Sequence, residues 1–278
     1  MPVAEDELGK KEQALRTRLR SLSPVLVAFS GGVDSSLLAR IAGEETTGSL
    51  AVTVDSVFLS RDERIAASAL AGEIGIAHCF ERFDPLADPV IRGNDPERCY
   101  SCKKAIFTRL KERALAGGFN AVVDGGNVSD RDDYRPGMRA LEELGILSPL
   151  AAAGFDKPDV RELSRRLGLS GHDRPAAACL ASRIPYGVAL DAESLTLVGE
   201  GEAALRRFGF TTVRLRLFGR TGCIELGAAD LADMSRLADN RAAIVSMLAG
   251  LGCDRVTLDL AGYRTGSLNE ALKMHPKG

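Results

Sequence analysis

Seven consecutive residues, Ser30-Gly31-Gly32-Val33-Asp34-Ser35-Ser36, combine what a phosphate group requires of a protein. Glycines let the backbone approach an anion, successive N–H groups can converge on it, and hydroxyls at a helix start sit where the dipole favours negative charge. ATP suits such a cradle, with Ala28, Ser30, Gly31, Gly32, Val33, Ser35 and Ser36 as its contacts and Asp34 holding Mg²⁺ against the phosphates. The bland alternative is a strand-to-helix turn with a serine cap. Against it, a fully specified motif in a strand-loop-helix setting arises by chance in about one chain in ten thousand or fewer. The lysine of the GxxxxGK[ST] loop is missing, so kinase-like attack on a terminal phosphate is not suggested. Asp55 and Ser56, just past the second apolar run, are candidates for the adenosine, although a turn explains them nearly as well.

Three of the six cysteines form a second constellation. Cys99 and Cys102 stand at a helix start ahead of Lys103 and Lys104, where the dipole and the cations favour thiolates. Cys179 lies in a small-residue segment between Pro175 and Pro185 that reads as a functional loop. Three thiolates suit an iron–sulfur cluster with one iron left open, whereas structural zinc normally takes a fourth protein ligand. His172 is a weak candidate for that ligand, because lone histidines are more often surface or hydrogen-bonded residues. Cys79, Cys223 and Cys253, on or beside predicted strands, read as small buried hydrophobes.

These residues must be carried by elements, and the apolar periodicity supplies them. It predicts an amphipathic helix over 4–22, a buried strand Val25–Phe29, a helix from Ser35 to Ala42, a strand Leu50–Val54, a helix Asp62–Ile74 and a strand His78–Phe83. A helix from about Cys102 to Ala116 and a strand Ala121–Asp124 follow. Strands alternating with helices imply an α/β fold, a doubly wound parallel sheet with ligands at the carboxyl ends of its strands. After about residue 182 the pattern changes to a helix (192–208), strands 213–218 and 222–226, two short helices and a closing strand 255–259. The expected organisation is therefore a nucleotide domain over 1–183 and a smaller α+β substrate or oligomerisation domain over 184–278.

Composition narrows the partners. A net charge of -2 gives no basic excess for a long nucleic acid and favours a small substrate. The N-terminus lacks an apolar signal core, and no run approaches the roughly 18 to 20 apolar residues of a membrane span, which reads as cytoplasmic with no membrane partner.

With the phosphate loop, Cys99–Lys103, the segment Asp124-Gly125-Gly126-Asn127 continuing through Asp130 to Gly137, and Cys179–Gly187 in hand, the chain closely resembles the LarE family of ATP-dependent sulfur transferases, within the PP-loop ATP pyrophosphatases. The likeness covers nearly the whole chain, including Val213–Arg216 and Gly262–Glu270. It implies adenylation of a carboxylate of pyridinium-3,5-biscarboxylic acid mononucleotide and its conversion to a thiocarboxylate, for the nickel-pincer nucleotide cofactor. It adds Gly126 and Asn127 to the ATP contacts and Cys179 to the catalytic residues beside Asp34. In one branch a lone cysteine, matching Cys179, gives up its own sulfur. In another, three cysteines hold a [4Fe-4S] cluster, and Cys99, Cys102 and Cys179 match that pattern. A homo-oligomer is also implied.

Arg214 and Arg216 alternate on one strand and so face one side, where they can clamp a substrate phosphate. A solvated strand face is the competing reading. Arg135 and Arg183, in matched motifs, are further anion-binding candidates, and Glu202 and Glu225 are candidates for metal or phosphate-linked Mg²⁺. The rival functions are a tRNA-thiolating PP-loop enzyme, an ammonia-using synthetase that leaves the cysteines idle, and a non-catalytic nucleotide sensor.

Overall fold

The computed structural model describes residues 2–132, 136–173, 178–264 and 266. The chain divides into two compact units: Met1–Ser56, Glu63–Phe83 and Glu97–Ala177 form the first, and Val57–Asp62, Asp84–Pro96 and Ala178–Gly278 the second.

In the first unit α1 (Pro2–Leu22) leads into β1 (Val25–Ala28), α2 (Val33–Glu45), β2 (Leu50–Asp55), α3 (Arg61–Ile74, whose first two residues belong to the second unit) and β3 (Ala77–Arg82). The strands lie parallel in the order β3-β2-β1-β4, so the direction of winding reverses between β1 and β4 (Ala121–Val123). In β1 successive side chains point to opposite faces. Val25 and Val27 pack with Leu15 and Leu19 of α1 and Leu37, Leu38 and Ile41 of α2. Leu26 faces the other way, onto Phe107 and Leu110 of α5 (Arg98–Ala116). Helices thus cover both faces, which is why the central strands read as unbroken apolar runs. Each fully buried Leu of this kind contributes about 1.5–3 kcal/mol.

Between β4 and the end of this unit lie three helices that the apolar pattern does not announce: α6 (Pro136–Glu143), α7 (Pro149–Ala152) and α8 (Lys157–Arg166). The start of α8 is set by a capping box, in which Asp156 accepts from the Asp159 N–H while the Asp159 carboxylate accepts from the Asp156 N–H.

The second unit carries short α4 (Pro89–Arg92), α9 (Ala192–Arg207), β5 (Val213–Phe218), β6 (Thr221–Leu226), α10 (Ala228–Ala232), α11 (Ser235–Gly250) and β7 (Arg255–Leu258). β5 and β6 pair antiparallel, and β7 adds to β6 in parallel. Of the two helices expected to be short, α11 spans 16 residues. α9 lies so close to β5 that a Cβ on Gly201 would stand 2.4 Å from Leu215 Cδ2. Segment 84–96 is tied into this unit by buried Asn94, whose Nδ2 donates to the carbonyls of Pro185 (2.9 Å) and Val188 (3.0 Å). Asn94 has φ 55°, a left-handed conformation that asparagine tolerates.

Candidate active site

The phosphate loop leaves β1 at the carboxyl edge of the sheet, beside the switch point where open α/β sheets bind ligands. The Phe29 N–H extends the ladder to the Val52 carbonyl, and the Thr53 hydroxyl donates to the Phe29 carbonyl at 2.7 Å. With that proton committed, Thr53 Oγ1 accepts from His78 Nε2 at 2.9 Å. Burial lowers the His78 pKa and so favours the neutral ring, in which this bond selects the tautomer with its proton on Nε2.

The loop is held open by its own hydroxyls. Ser35 Oγ accepts from the Ser30 N–H (3.3 Å) and donates to the Gly32 carbonyl (3.1 Å), while Ser30 Oγ accepts from the Gly32 N–H (3.3 Å). Gly31 has φ 72°, and a Cβ there would lie 3.1 Å from Ala67 Cα, so both conformation and space require glycine. Gly32 caps α2 without any side chain, which leaves the first N–H groups of the helix to other acceptors. The Ser36 hydroxyl is buried and has no hydrogen-bond partner among the described residues.

The turn after β4 packs on this loop: a Cβ on Gly125 would stand 2.9 Å from the Ser35 nitrogen. Asp124 is buried and accepts from Ser148 Oγ (2.5 Å) and the Gly126 N–H (3.2 Å); burial raises its pKa despite those bonds. Asn127 Nδ2 donates to Asp34 Oδ1 at 3.0 Å, and Lys157 Nζ to Asp34 Oδ2 at 2.5 Å. Lys157 was not anticipated. Its signal in the sequence is Asp156-Lys157-Pro158-Asp159, a helix start with proline in the first turn and capping carboxylates on either side. Asp55 pairs with Arg64 (3.1 Å) at the end of β2, with Ser56 next to it.

Mg²⁺ fits these residues without a dedicated cage. It is bound by one or two carboxylates together with phosphates and water, and Asp34 offers a part-exposed carboxylate whose present partner is an ammonium ion, a stand-in cation.

Cys99 lies in the first turn of α5 and Cys102 at the start of the second, the helix beginning at Arg98 rather than at Cys102, and both are half-buried. Three residues apart, they share a helix face. Arg98 NH2 donates toward Cys99 Sγ at 3.5 Å. Cys179 belongs to the second unit, where it is exposed and caps a single turn of 3₁₀ helix, Leu180–Arg183. The thiols have the donor chemistry of an iron–sulfur cluster. Among the described residues, however, no group of three His, Cys, Asp or Glu side chains is arranged to hold a metal. Cys253 is buried as expected, while Cys79 and Cys223 are only partly so. His172 is hydrogen-bonded, through Nδ1 to the Leu169 carbonyl at 3.1 Å.

In the second unit the expected anion and metal ligands prove to be each other's partners. Arg183 grips Glu202 through Nε (2.8 Å) and NH2 (3.1 Å), and its NH1 donates to the carbonyls of Ala178 (2.7 Å) and Cys179 (3.1 Å). Arg183 therefore anchors the cysteine segment. Glu202 also accepts from Arg206 NH2 (3.0 Å) and the Leu215 N–H (3.1 Å), and Glu225 pairs with Arg216 Nε. Both Glu202 oxygens are thus engaged by guanidinium groups, whereas Glu225 meets Arg216 through Oε1 alone and its buried Oε2 has no hydrogen-bond partner among the described residues. Arg214 differs from Arg183. It stacks over Tyr263 at 4.9 Å, stands 4.0 Å from Glu202, and makes one hydrogen bond among the described residues, NH1 to the Val213 carbonyl. Burial, followed by the neighbouring Arg183 charge, lowers its pKa. Arg135 lies outside the described residues.

A parallel sheet in this strand order, with a lysine-free glycine–serine phosphate loop at its first strand, defines a PP-loop ATP pyrophosphatase. The asparagine synthase family model matches residues 11–90. Along 95% of the chain, the sequence is 40% identical to an uncharacterised protein of Synechocystis sp., covering 99% of that protein. It is 37% identical to the pyridinium-3,5-bisthiocarboxylic acid mononucleotide synthase of Lactiplantibacillus plantarum, over 95% of this chain and 96% of that one. A tRNA-specific 2-thiouridylase of Clostridium botulinum is 26% identical over 54% of the chain. The chain belongs to the LarE family: it is an ATP-dependent sulfurtransferase that forms AMP and pyrophosphate.

Proposed function

We propose that this enzyme adenylates a carboxylate of pyridinium-3,5-biscarboxylic acid mononucleotide and replaces one of its oxygens by sulfur. The observation that carries the reading is likeness along nearly the full length to a synthase of the bisthiocarboxylic product, joined to a preformed phosphate loop. A carboxylate resists attack until its oxygen becomes a leaving group. Its oxygen attacks the α-phosphorus of ATP, the bond to the bridging oxygen breaks, and pyrophosphate departs with the electron pair. A sulfur nucleophile then attacks the acyl carbon and AMP leaves. The Ser30–Ser36 loop and the turn at Gly126 and Asn127 bind the phosphates, and the buried Ser36 hydroxyl gains a partner there. Asp34 holds the Mg²⁺, and Asp55 and Ser56 lie toward the adenosine. Arg214 and Arg216 take the phosphate of the mononucleotide, since four arginines (183, 206, 214, 216) surround two glutamates (202, 225) and leave positive charge in excess.

Cys99, Cys102 and Cys179 would hold a [4Fe-4S] cluster. Such a group, bound by three thiolates, supplies an iron without a protein ligand at which a transferable sulfide can be carried. The protein works as a cytoplasmic homo-oligomer on a small molecule, with no nucleic acid or membrane partner. Pyrophosphate release with the pyridinium dicarboxylate, measured on anaerobic protein alongside its iron and acid-labile sulfide, tests the whole. Turnover together with iron supports it. Iron-free protein that loses the mass of H₂S at Cys179 during turnover would establish the sacrificial route instead. Salt-dependent tRNA binding with no pyridinium-dependent turnover would establish the thiouridylase reading.

A further inference from the structure

We propose that Phe218 is the platform on which the pyridinium ring of the mononucleotide stacks, one ribose away from the phosphate held at Arg216. The inference deepens the substrate reading above and rests on it.

The two faces of the second sheet differ. Val213, Leu215 and Leu217 of β5 are buried, Leu215 against α9, and the register sets Gly222, Ile224 and Leu226 of β6 beside them. Successive side chains alternate, so Arg214, Arg216 and Phe218 share the opposite face. Arg216 pairs with Cys223 and Phe218 with Thr221, which puts two short side chains on that face as well. One end of the face is closed, because Arg214 stacks on Tyr263 at 4.9 Å and Glu225 is buried there. The other end is open, with Phe218 55% exposed and Thr221 and Cys223 half-buried. A ligand whose phosphate is held at Arg216 has room over these short side chains, with an aromatic ring at the end of its path.

Span and chemistry agree. Phe218 follows Arg216 by two residues, about 6.7 Å along a strand, and phosphate and ring in a mononucleotide are separated by a single ribose, a comparable length. A pyridinium ring is flat, carries its positive charge at nitrogen and is poor in π electrons, so it is drawn to the electron-rich face of another ring. The two carboxylates of this substrate lie in the ring plane and leave both faces clear. Single exposed apolar residues are common and by themselves signal nothing. Phe218 is set apart by its place: of the ten phenylalanines, all among the described residues, it is the one that is exposed, and it stands in line with both arginines. Stacking forms no bond and moves no proton. It adds affinity and fixes the ring's orientation, and so belongs to binding rather than to the chemical step.

The experiment uses the full chain and two probes: nicotinamide mononucleotide, which has phosphate, ribose and a pyridinium ring, and ribose 5-phosphate, which lacks the ring. In calorimetry Phe218→Leu should weaken nicotinamide mononucleotide about tenfold while ribose 5-phosphate binds as to wild type. Phe218→Trp should bind nicotinamide mononucleotide at least as tightly as wild type, since tryptophan is the best partner for a cation. The natural chain has no tryptophan, so the fluorescence of that variant reports on position 218 alone. Nicotinamide mononucleotide should quench it and ribose 5-phosphate should not. Without any variant, either probe should slow alkylation of Cys223 by iodoacetamide, read by mass spectrometry. Equal affinity of wild type and Phe218→Leu for nicotinamide mononucleotide, or unquenched tryptophan, overturns this inference while ribose 5-phosphate binding keeps the phosphate clamp standing. Cys223 that is blocked in ligand-free protein and released on dilution also overturns it, since a second copy then covers the face. If neither probe binds, the phosphate clamp fails and the inference fails with it.

Discussion

Arg183 and Arg214 are both buried beside Glu202, yet they have different work. Arg183 has its guanidinium engaged on three sides, so Arg183→Leu leaves Glu202 short of its closest partner and frees the Cys179 segment. A loss of about 3–5 kcal/mol in urea unfolding is expected, as for other broken buried ion pairs. Arg214→Ala removes a guanidinium with few internal duties. It should weaken the mononucleotide by about 1.5–3 kcal/mol in calorimetry while ATP binding holds; equal weakening of both would mean a folding defect. Asp124 gives a pH test. Its folded pKa is raised by burial above the ordinary 3.8, so the folded state binds the extra proton, and that contribution to stability fades as pH rises through the folded pKa. Asp124→Asn should therefore gain stability relative to wild type between acid and neutral pH in nucleotide-free protein. The loop serines and glycines were legible because their chemistry is local. The pairing of Arg183 with Glu202 and of Arg216 with Glu225 was not legible, because an ion pair closed over 19 residues, or across two strands, looks in sequence like any exposed charge.

At the scale of elements, the nucleotide site depends on how closely the turn after β4 approaches the first turn of α2. In Gly125→Ala the new methyl would meet backbone rather than a movable side chain. The expected cost is about 1–3 kcal/mol of stability, together with loss of ATP binding measured on protein that still melts cooperatively. Retained ATP affinity would show that the approach is not needed. The strands and long helices of both units were readable from their apolar period, to within a few residues at the ends. α6, α7 and α8 were not, because eight, four and ten residues respectively make fewer than three full turns each, too short a stretch for a period to stand out. Only the capping residues of α8 announced it, and with it Lys157. The helix that carries the CxxC pair was expected to begin at about Cys102 because Arg98, the true start, is a buried cation that no apolar pattern reveals.

For the whole molecule, a change from alternating strands and helices to an α+β pattern suggests one crossing after residue 183, whereas the second unit also gathers 57–62 and 84–96. The Leu180 N–H bonds to the Phe58 carbonyl and the Leu190 N–H to the Arg92 carbonyl, both within that unit. A polypeptide of residues 184–278 alone should therefore lack a cooperative unfolding transition by circular dichroism. A sharp transition would show that the early segments are dispensable. Among the described residues no helix is long and apolar enough to cross a membrane. The Asn94 clasp also sets a timetable for biosynthesis. Its amide leaves the ribosome 91 residues ahead of the Pro185 carbonyl that it will hold. At about 5–20 residues per second the nascent chain carries that asparagine, already committed to a left-handed turn in the finished protein, for roughly five to twenty seconds before its acceptors exist. Through that interval residues 97–177 can join the first unit while 84–96 waits as a tether, so the first unit is complete in sequence before the second can close.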